Sequence, residues 1–564
     1  MKDNCMSRPR NGLVVSLLSM TLSLLGGCND VPNPTTRTDE LPVSKPAEAL
    51  VASAEVSEKS SEAARSSNVV DKSGATSDVV LASNDQTKSP AKKSDSDDKP
   101  MFDGWSKPAF TLVLSGEQHG YLEPCGCALK QSGGVSRRHD LILQIQAKGW
   151  PVTGLDLGGT VNRNRAQTKL KFQTFLAAMQ DMRYSVLNLG PEELKLGAAD
   201  LLALHAPDPR DPLATISFVS ANVTLFGSPD LGTPLRSKVL KLGTHKVGVT
   251  SVLGTSFRKE IAPEGVNVDI TIDDPDTALP AVLKELQAQQ PDLLVLLSHG
   301  TLAEGKTLAK NFPQFAVVLS SGGAEDPEFD NPQKVGETLF VQVGRKGKYT
   351  GVVGFFPSDA QNRVRFELIK LTEERFQDSQ KMVEHMRLYQ DLLKDSALAE
   401  TEPPIKHSSG AKFVGTQACA ECHPKAFAVW EKTDHAHAYD SLIKGRPELK
   451  HRWVSRIHDP ECLACHTTGW HPQEVLRYDS GFESKEKTQQ LLHNGCENCH
   501  GPGSRHIQLV EAGEKDAANK EVRLTLADAK KTHCVTCHDL DNDPHFNSAS
   551  FDSYWEKIKH VGRD

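Results

Sequence analysis

The chain has 564 residues, with 65 Lys and Arg against 73 Asp and Glu and a formal net charge of −8. A mild acidic excess supplies no basic field for a polyanion, so nucleic acid is excluded as an expected partner. The length predicts several domains, and 38% hydrophobic content allows a sizeable core.

Residues 1–28 place Lys2, Arg8 and Arg10 ahead of the apolar run NGLVVSLLSMTLSLLGGC. A charged head, a short apolar stretch and small residues predict an export signal, too short for a membrane span. The ending LLGGC resembles the bacterial lipoprotein box. That resemblance implies lipidation of Cys28 and a chain held on a membrane surface, in the periplasm or cell envelope. Residues 29–106 are rich in Ser, Lys, Asp, Ala and Pro. Such a segment buries too little apolar surface to offset its ordering entropy, so it is expected to be a disordered tether.

Residues 107–372 change character. AFTLVLSG, PVTGLDLGG, YSVLNLG, TISFVSANV, DLLVLLSHG and FAVVLSSGG are short apolar runs that end in small or polar residues. SRRHDLILQIQAKG, AQTKLKFQTFLAAMQDM, PEELKLGAADLLALH and DTALPAVLKELQAQQ lie between them with helical spacing. The alternation predicts an α/β layered sandwich whose strands are buried on both faces. KVLKLGTHKVGVTSVLG and LFVQVGRKGKYTGVVGFF each read as a hairpin, so mixed sheets are expected. Residues 373–411 predict a connecting helix and a linker broken at TEPPIKHSSG.

Residues 412–564 hold eight of the twelve cysteines, in four C-x-x-C-H units. These are Cys419-Cys422-His423, Cys462-Cys465-His466, Cys496-Cys499-His500 and Cys534-Cys537-His538. This is the attachment pattern of c-type haem: two thiols add to the porphyrin vinyl groups and the next residue sets an imidazole under the iron. Zinc ribbons and disulfides use C-x-x-C pairs without needing a histidine after each one. Four covalent haems in a mainly α, haem-packed domain are therefore expected. Fourteen of the 21 histidines lie from residue 412 onward, which leaves ten for opposite-face ligation. Two imidazoles make a closed iron suited to electron transfer, and a missing sixth ligand leaves an iron open to a small molecule.

FVGTQACAECHPKAFAVWEKTDHAHA and CENCHGPGSRH resemble the tetrahaem cytochrome c family of nitrifying bacteria. The resemblance implies that His435 and His506 are distal ligands, with His545 or His560 as a third. It also implies that one of the four irons lacks a sixth ligand. His437, His458, His471, His493 and His533 stay open.

Residues 108–360 resemble the calcineurin-like metallophosphoesterases, closest to periplasmic 5′-nucleotidases, whose two metals activate a bridging water. The family's motifs are altered here. SGEQHG offers Glu117 and His119; LDLGG puts Gly159 at the bridging aspartate; NLGPEE puts Pro191 and Glu192 at Asn and His; LLSHG keeps His299; SGGAE puts Gly323 and Glu325 at two histidines. A normal two-metal hydrolysis is not expected from this set. EPCGCALKQSGGVSRR adds Cys125 and Cys127, in a pattern some nucleotidase-like proteins share. A reducible thiol pair, a single non-haem metal ion held with His119 and His299, and plain structural thiols all fit it.

The combined expectation is an exported electron carrier whose α/β domain bears a thiol or metal site. Its partners would be a redox protein or a quinol-linked donor. Turnover of a small nitrogen compound at an open haem, or 5′-nucleotidase-like phosphohydrolysis, is the alternative.

Overall fold

The computed structural model describes residues 100–124, 130–163, 165–204, 216–262, 269–327 and 331–560. The expected export signal, Cys28, residues 29–99 of the expected tether, Cys125 and Cys127 lie outside the described residues; residues 100–106, also expected in the tether, are described, and Phe102 among them is buried in the α/β core. Among those described, no helix is long and apolar enough to cross a membrane.

Two six-stranded sheets form the α/β region. The strands are β1 (Phe110–Ser115), β2 (Val152–Asp156), β3 (Tyr184–Asn188), β4 (Ser217–Val219), β5 (Val223–Leu225), β6 (Lys238–Leu242) and β7 (His245–Leu253). They continue as β8 (Ile270–Ile272), β9 (Leu293–His299), β10 (Val317–Ser320), β11 (Gln333–Val335), β12 (Thr338–Val341), β13 (Tyr349–Phe355) and β14 (Val364–Lys370). The first sheet runs β14-β13-β1-β2-β3-β4 and the second β11-β12-β10-β9-β7-β6. β1 to β4 pair in parallel to one edge of the first sheet, with antiparallel β13 and β14 at the other; in the second sheet the parallel run β12-β10-β9-β7 has an antiparallel strand at each margin. β5 and β8 pair apart from both sheets.

Strand periodicity sorts the side chains into layers. Phe110, Leu112 and Leu114 of β1 meet Leu293, Val295 and Leu297 of β9 between the sheets. Val113 points outward to Phe172, Phe175, Met179 and Ile145, on the helices Val135–Ala147 and Ala166–Asp181. Leu294 and Leu296 point outward to Leu279, Leu283 and Leu308, on the helices Pro275–Ala288 and Leu302–Asn311. Both faces of each sheet are covered, which is why the strand sequences read as unbroken apolar runs.

Two local expectations are corrected. LFVQVGRKGKYTGVVGFF is not a hairpin: β12 joins β10 in the second sheet, and β13 joins β1 and β14 in the first. The connection crosses between sheets through Gly344 and Gly347, both at positive φ. The hairpin is β13–β14. PEELKLGAADLLALH is two short helices, Pro191–Leu194 and Ala198–Leu204, broken at Gly197, whose φ is 96°. The helix Gln380–Ser396 buries Met382, Met386, Tyr389 and Leu393 in the core of the first sheet, so it packs as part of that layer.

Residues 89–564 form one compact unit, in which short helices from residue 416 onward dock on the α/β layers. Buried Asp459 receives Gln167 Nε2 at 2.8 Å and Gln390 Nε2 at 3.0 Å. Lys171 and Arg163 pair with Glu461 at 2.5 and 3.3 Å. Arg452 pairs with Asp378 at 3.1 Å, and Arg456 with Glu123. Tyr121 Oη donates to Asp541 Oδ2 at 2.6 Å, and Lys346 ion-pairs with the same carboxylate.

Candidate functional site

Each C-x-x-C-H unit occupies about one helical turn, which brings residues i, i+3 and i+4 to one face. The helices Pro460–His466 and Cys496–His500 hold the second and third units. His423 N donates to Cys419 O at 2.9 Å and His538 N to Cys534 O at 2.9 Å, closing the same turn in the first and fourth. Buried Glu497 ties the first unit to the third by accepting from Val414, Gly415 and Gly503 N at 2.9, 2.7 and 2.7 Å.

Three motif histidines face a second imidazole. His423 stands opposite His506 with ring centroids 6.3 Å apart, His538 opposite His435 at 6.0 Å, and His500 opposite His560 at 5.9 Å. Two imidazole nitrogens bound about 2 Å from one ion put their ring centroids roughly 6 Å apart, so each gap fits one iron. His437 and His493 are also 6.4 Å apart, but neither follows a C-x-x-C pair. Among the described residues no imidazole stands across from His466, whose Nδ1 bonds Ala438 O at 2.7 Å. Of the two late candidates, both exposed, His560 faces a motif ring, whereas among the described residues His545 faces none.

Burial holds His435 at about 4, with the neighbouring His538 adding to the effect, and lowers His466 and His500, which favours in these three the neutral form that ligates a metal. A 620 Å³ cavity opens between His435 and His538, lined by Cys534, Cys537, Phe546 and Tyr554. Paired rings, adjacent thiols and this cavity fit haem.

The thiols also show which units touch. Cys419 lies beside Cys496, Cys465 beside Cys537, and Cys499 beside Cys534 and Cys537. The contacts run first unit, third, fourth, second.

The α/β cleft lies at the carboxyl ends of β1, β2, β3, β9 and β10, where open parallel sheets place their ligands. Glu117 and His119 follow β1 at positive φ, 46° and 49°, a conformation that costs free energy in non-glycine residues. His299 ends β9 and bonds Leu157 O through Nδ1 at 3.1 Å. Glu325 pairs with Lys346 at 2.8 Å. The centre is held by Glu193. Its buried carboxylate accepts from Gly159 N at 3.0 Å, Thr160 N at 2.6 Å, Thr160 Oγ1 at 2.5 Å and Gly190 N at 2.9 Å. A side chain at Gly190 would collide with that carboxylate and with His299.

Desolvation dominates the cleft. Burial raises Glu117 and Glu192 to about 7 and Asp156 to about 6; it lowers His119 to about 4. It lowers His299 too. The His119 shift is reinforced by His299 and Arg345, while Arg345 opposes the rise of Glu117. Among the described residues no group of three His, Cys, Asp or Glu is arranged to hold a metal ion. Sequence reasoning missed Glu193, Asp156, Arg345, Lys346 and Tyr121. The second Glu of GPEE was a signal for the first of these; the last three take their roles from contacts distant in sequence.

Residues 418–501 match the family described as cytochrome c554 and c-prime. Cytochrome c-554 of Nitrosomonas europaea is 28% identical over 149 residues, 23% of this chain and 59% of the relative. The chain thus spans about three-fifths of that relative's length. A 5′-nucleotidase precursor from Thermus thermophilus superposes at TM-score 0.43 and 21% identity, over 54% of this chain and 61% of its own. A calcineurin-like phosphoesterase from Bacillus subtilis superposes at 0.41 and 14% identity, over 50% and 97%. In sequence, then, residues 418–501 are similar to cytochrome c554 and c-prime, and they are joined to an α/β region with the layered architecture described above.

Proposed function

We propose that the chain is an exported tetrahaem c-type cytochrome, anchored through Cys28, in which three irons are closed by histidine pairs and the second is open. When bound, the haems supply four one-electron carriers. The observation behind this reading is that His423, His500 and His538 each face an imidazole at 5.9–6.3 Å, while His466 faces none. His506, His560 and His435 are the matching distal ligands. The helices and the α/β layers exclude water around the motifs. Cys422 is the exposed thiol, so the first unit presents the edge toward a redox protein or quinol-linked donor.

The open position favours a second reading, binding or turnover of a small nitrogen compound at the second unit. Ferric electron paramagnetic resonance tests both. The account expects three low-spin signals and one high-spin signal that shifts with cyanide or nitric oxide. Four low-spin signals would sink it.

The α/β cleft supports phosphohydrolysis less well, because Glu193 binds the loop amides and the bridging carboxylate is Gly159. As part of the proposal, Cys125 and Cys127 form a redox pair or a one-metal site served by the cytochrome. Their chain neighbours Tyr121 and Glu123 contact Asp541 and Arg456 of the haem region, which supports such a link. Unchanged reduction kinetics in a Cys125→Ser/Cys127→Ser double variant would refute it.

A further inference from the structure

Among the motif histidines, the acceptors at Nδ1 differ in charge. His466 bonds the carbonyl of Ala438 at 2.7 Å, and His500 bonds the carbonyl of Val522 at 2.8 Å. His538 instead bonds a carboxylate, Asp543 Oδ2, at 2.8 Å. Asp543 is held on its other oxygen by Tyr554 Oη at 3.2 Å, and its backbone N donates to Asp539 O at 2.8 Å. The imidazole is clamped as well, stacked on Phe546 at 5.0 Å and edge-on to Tyr554 at 5.6 Å.

We infer that Asp543 is a positioning residue that sets the fourth unit apart electronically, making its iron more reluctant to accept an electron than a neutral acceptor on the same ring would. A carboxylate on Nδ1–H draws the proton away from the ring and makes the opposite nitrogen a stronger donor to the metal. A stronger donor favours the ferric state and lowers the reduction potential. A carbonyl carries no full charge and does this less. The fourth unit touches both the second and the third, and its Asp541 meets Tyr121 and Lys346 of the α/β cleft. A low-potential carrier there forms an uphill step for electrons passing in either direction between the exposed first unit and the second.

This rests on the reading that His538 and His435 are axial ligands, which is checked first. His435→Ala must convert one low-spin iron to high-spin and so mark the fourth unit's component in a spectroelectrochemical titration of the full-length holoprotein. With that component identified, Asp543→Asn should raise its midpoint potential and change its low-spin g-values, leaving the other three in place. Asp543→Glu should restore much of the original value. Tyr554→Phe provides the second arm. It removes a donor competing for the carboxylate without changing charge, so the same potential should fall. The inference is overturned if Asp543→Asn leaves all four potentials unchanged or moves them together. It is equally overturned if Tyr554→Phe raises or does not move the fourth component. If His435→Ala yields no new high-spin iron, the ligand reading on which the role of Asp543 rests fails, and that role with it; failure of the Asp543 and Tyr554 variants alone overturns only the role of Asp543.

Discussion

The α/β cleft and the haem region both gather polar side chains at the ends of short elements, but they have kept different things. The haem region retains every group its chemistry needs: four complete motifs and, for three of them, an imidazole at 5.9–6.3 Å. In the cleft, no group of three His, Cys, Asp or Glu among the described residues is arranged to hold a metal ion, and the loops are tied by Glu193, which takes four hydrogen bonds. A buried carboxylate with its donors satisfied can replace a cation as a structural tie, because both organise loops by charge-assisted contacts in a low-dielectric setting.

The difference can be broken from either side. The largest effect is expected from the haem region. Cys462→Ala/Cys465→Ala should remove one of four haems, seen as a loss of about one haem mass, and with it the high-spin signal. His506→Ala and His560→Ala should each convert one low-spin iron to high-spin, whereas His545→Ala should not. Next comes the cleft. Glu193→Ala leaves buried amides unpaired and should cost about 3–5 kcal/mol in urea unfolding. A loss below about 1 kcal/mol would show that Glu193 does not tie the loops. The junction is smaller. A double-mutant cycle of Tyr121→Phe and Asp541→Asn should give a coupling of about 1 kcal/mol. A value of zero would mean that the two regions meet there without mutual support.

The smallest effect is a pH dependence at the cap of the helix Leu302–Asn311. Burial would raise Glu304, but hydrogen bonds from Thr301 and Ser256 outweigh it and hold the carboxyl at about 2, against an ordinary 4.5. A depressed value in the folded state contributes stability above pH 4.5 that is lost as pH falls toward 2. Glu304→Gln should flatten the stability curve between those values.

How much was legible in sequence follows from the range of each interaction. C-x-x-C-H is local, so all four motifs could be read from spacing alone. The alternation of apolar runs and helical patterns gave the α/β layers for the same reason. The course of LFVQVGRKGKYTGVVGFF could not be read, because a two-strand pattern is the same whether the strands share a sheet or cross between sheets. His560 rather than His545 opposite His500 is likewise a tertiary outcome. The Asp543–His538 bond spans only five residues, yet its meaning depends on which atom of the ring faces the iron.

The most direct measurement combines haem quantitation with ferric electron paramagnetic resonance on the full-length holoprotein. The account predicts four haems, three low-spin and one high-spin, with the high-spin signal lost in the Cys462→Ala/Cys465→Ala variant. Four low-spin irons, or a high-spin signal that survives that variant, would contradict it.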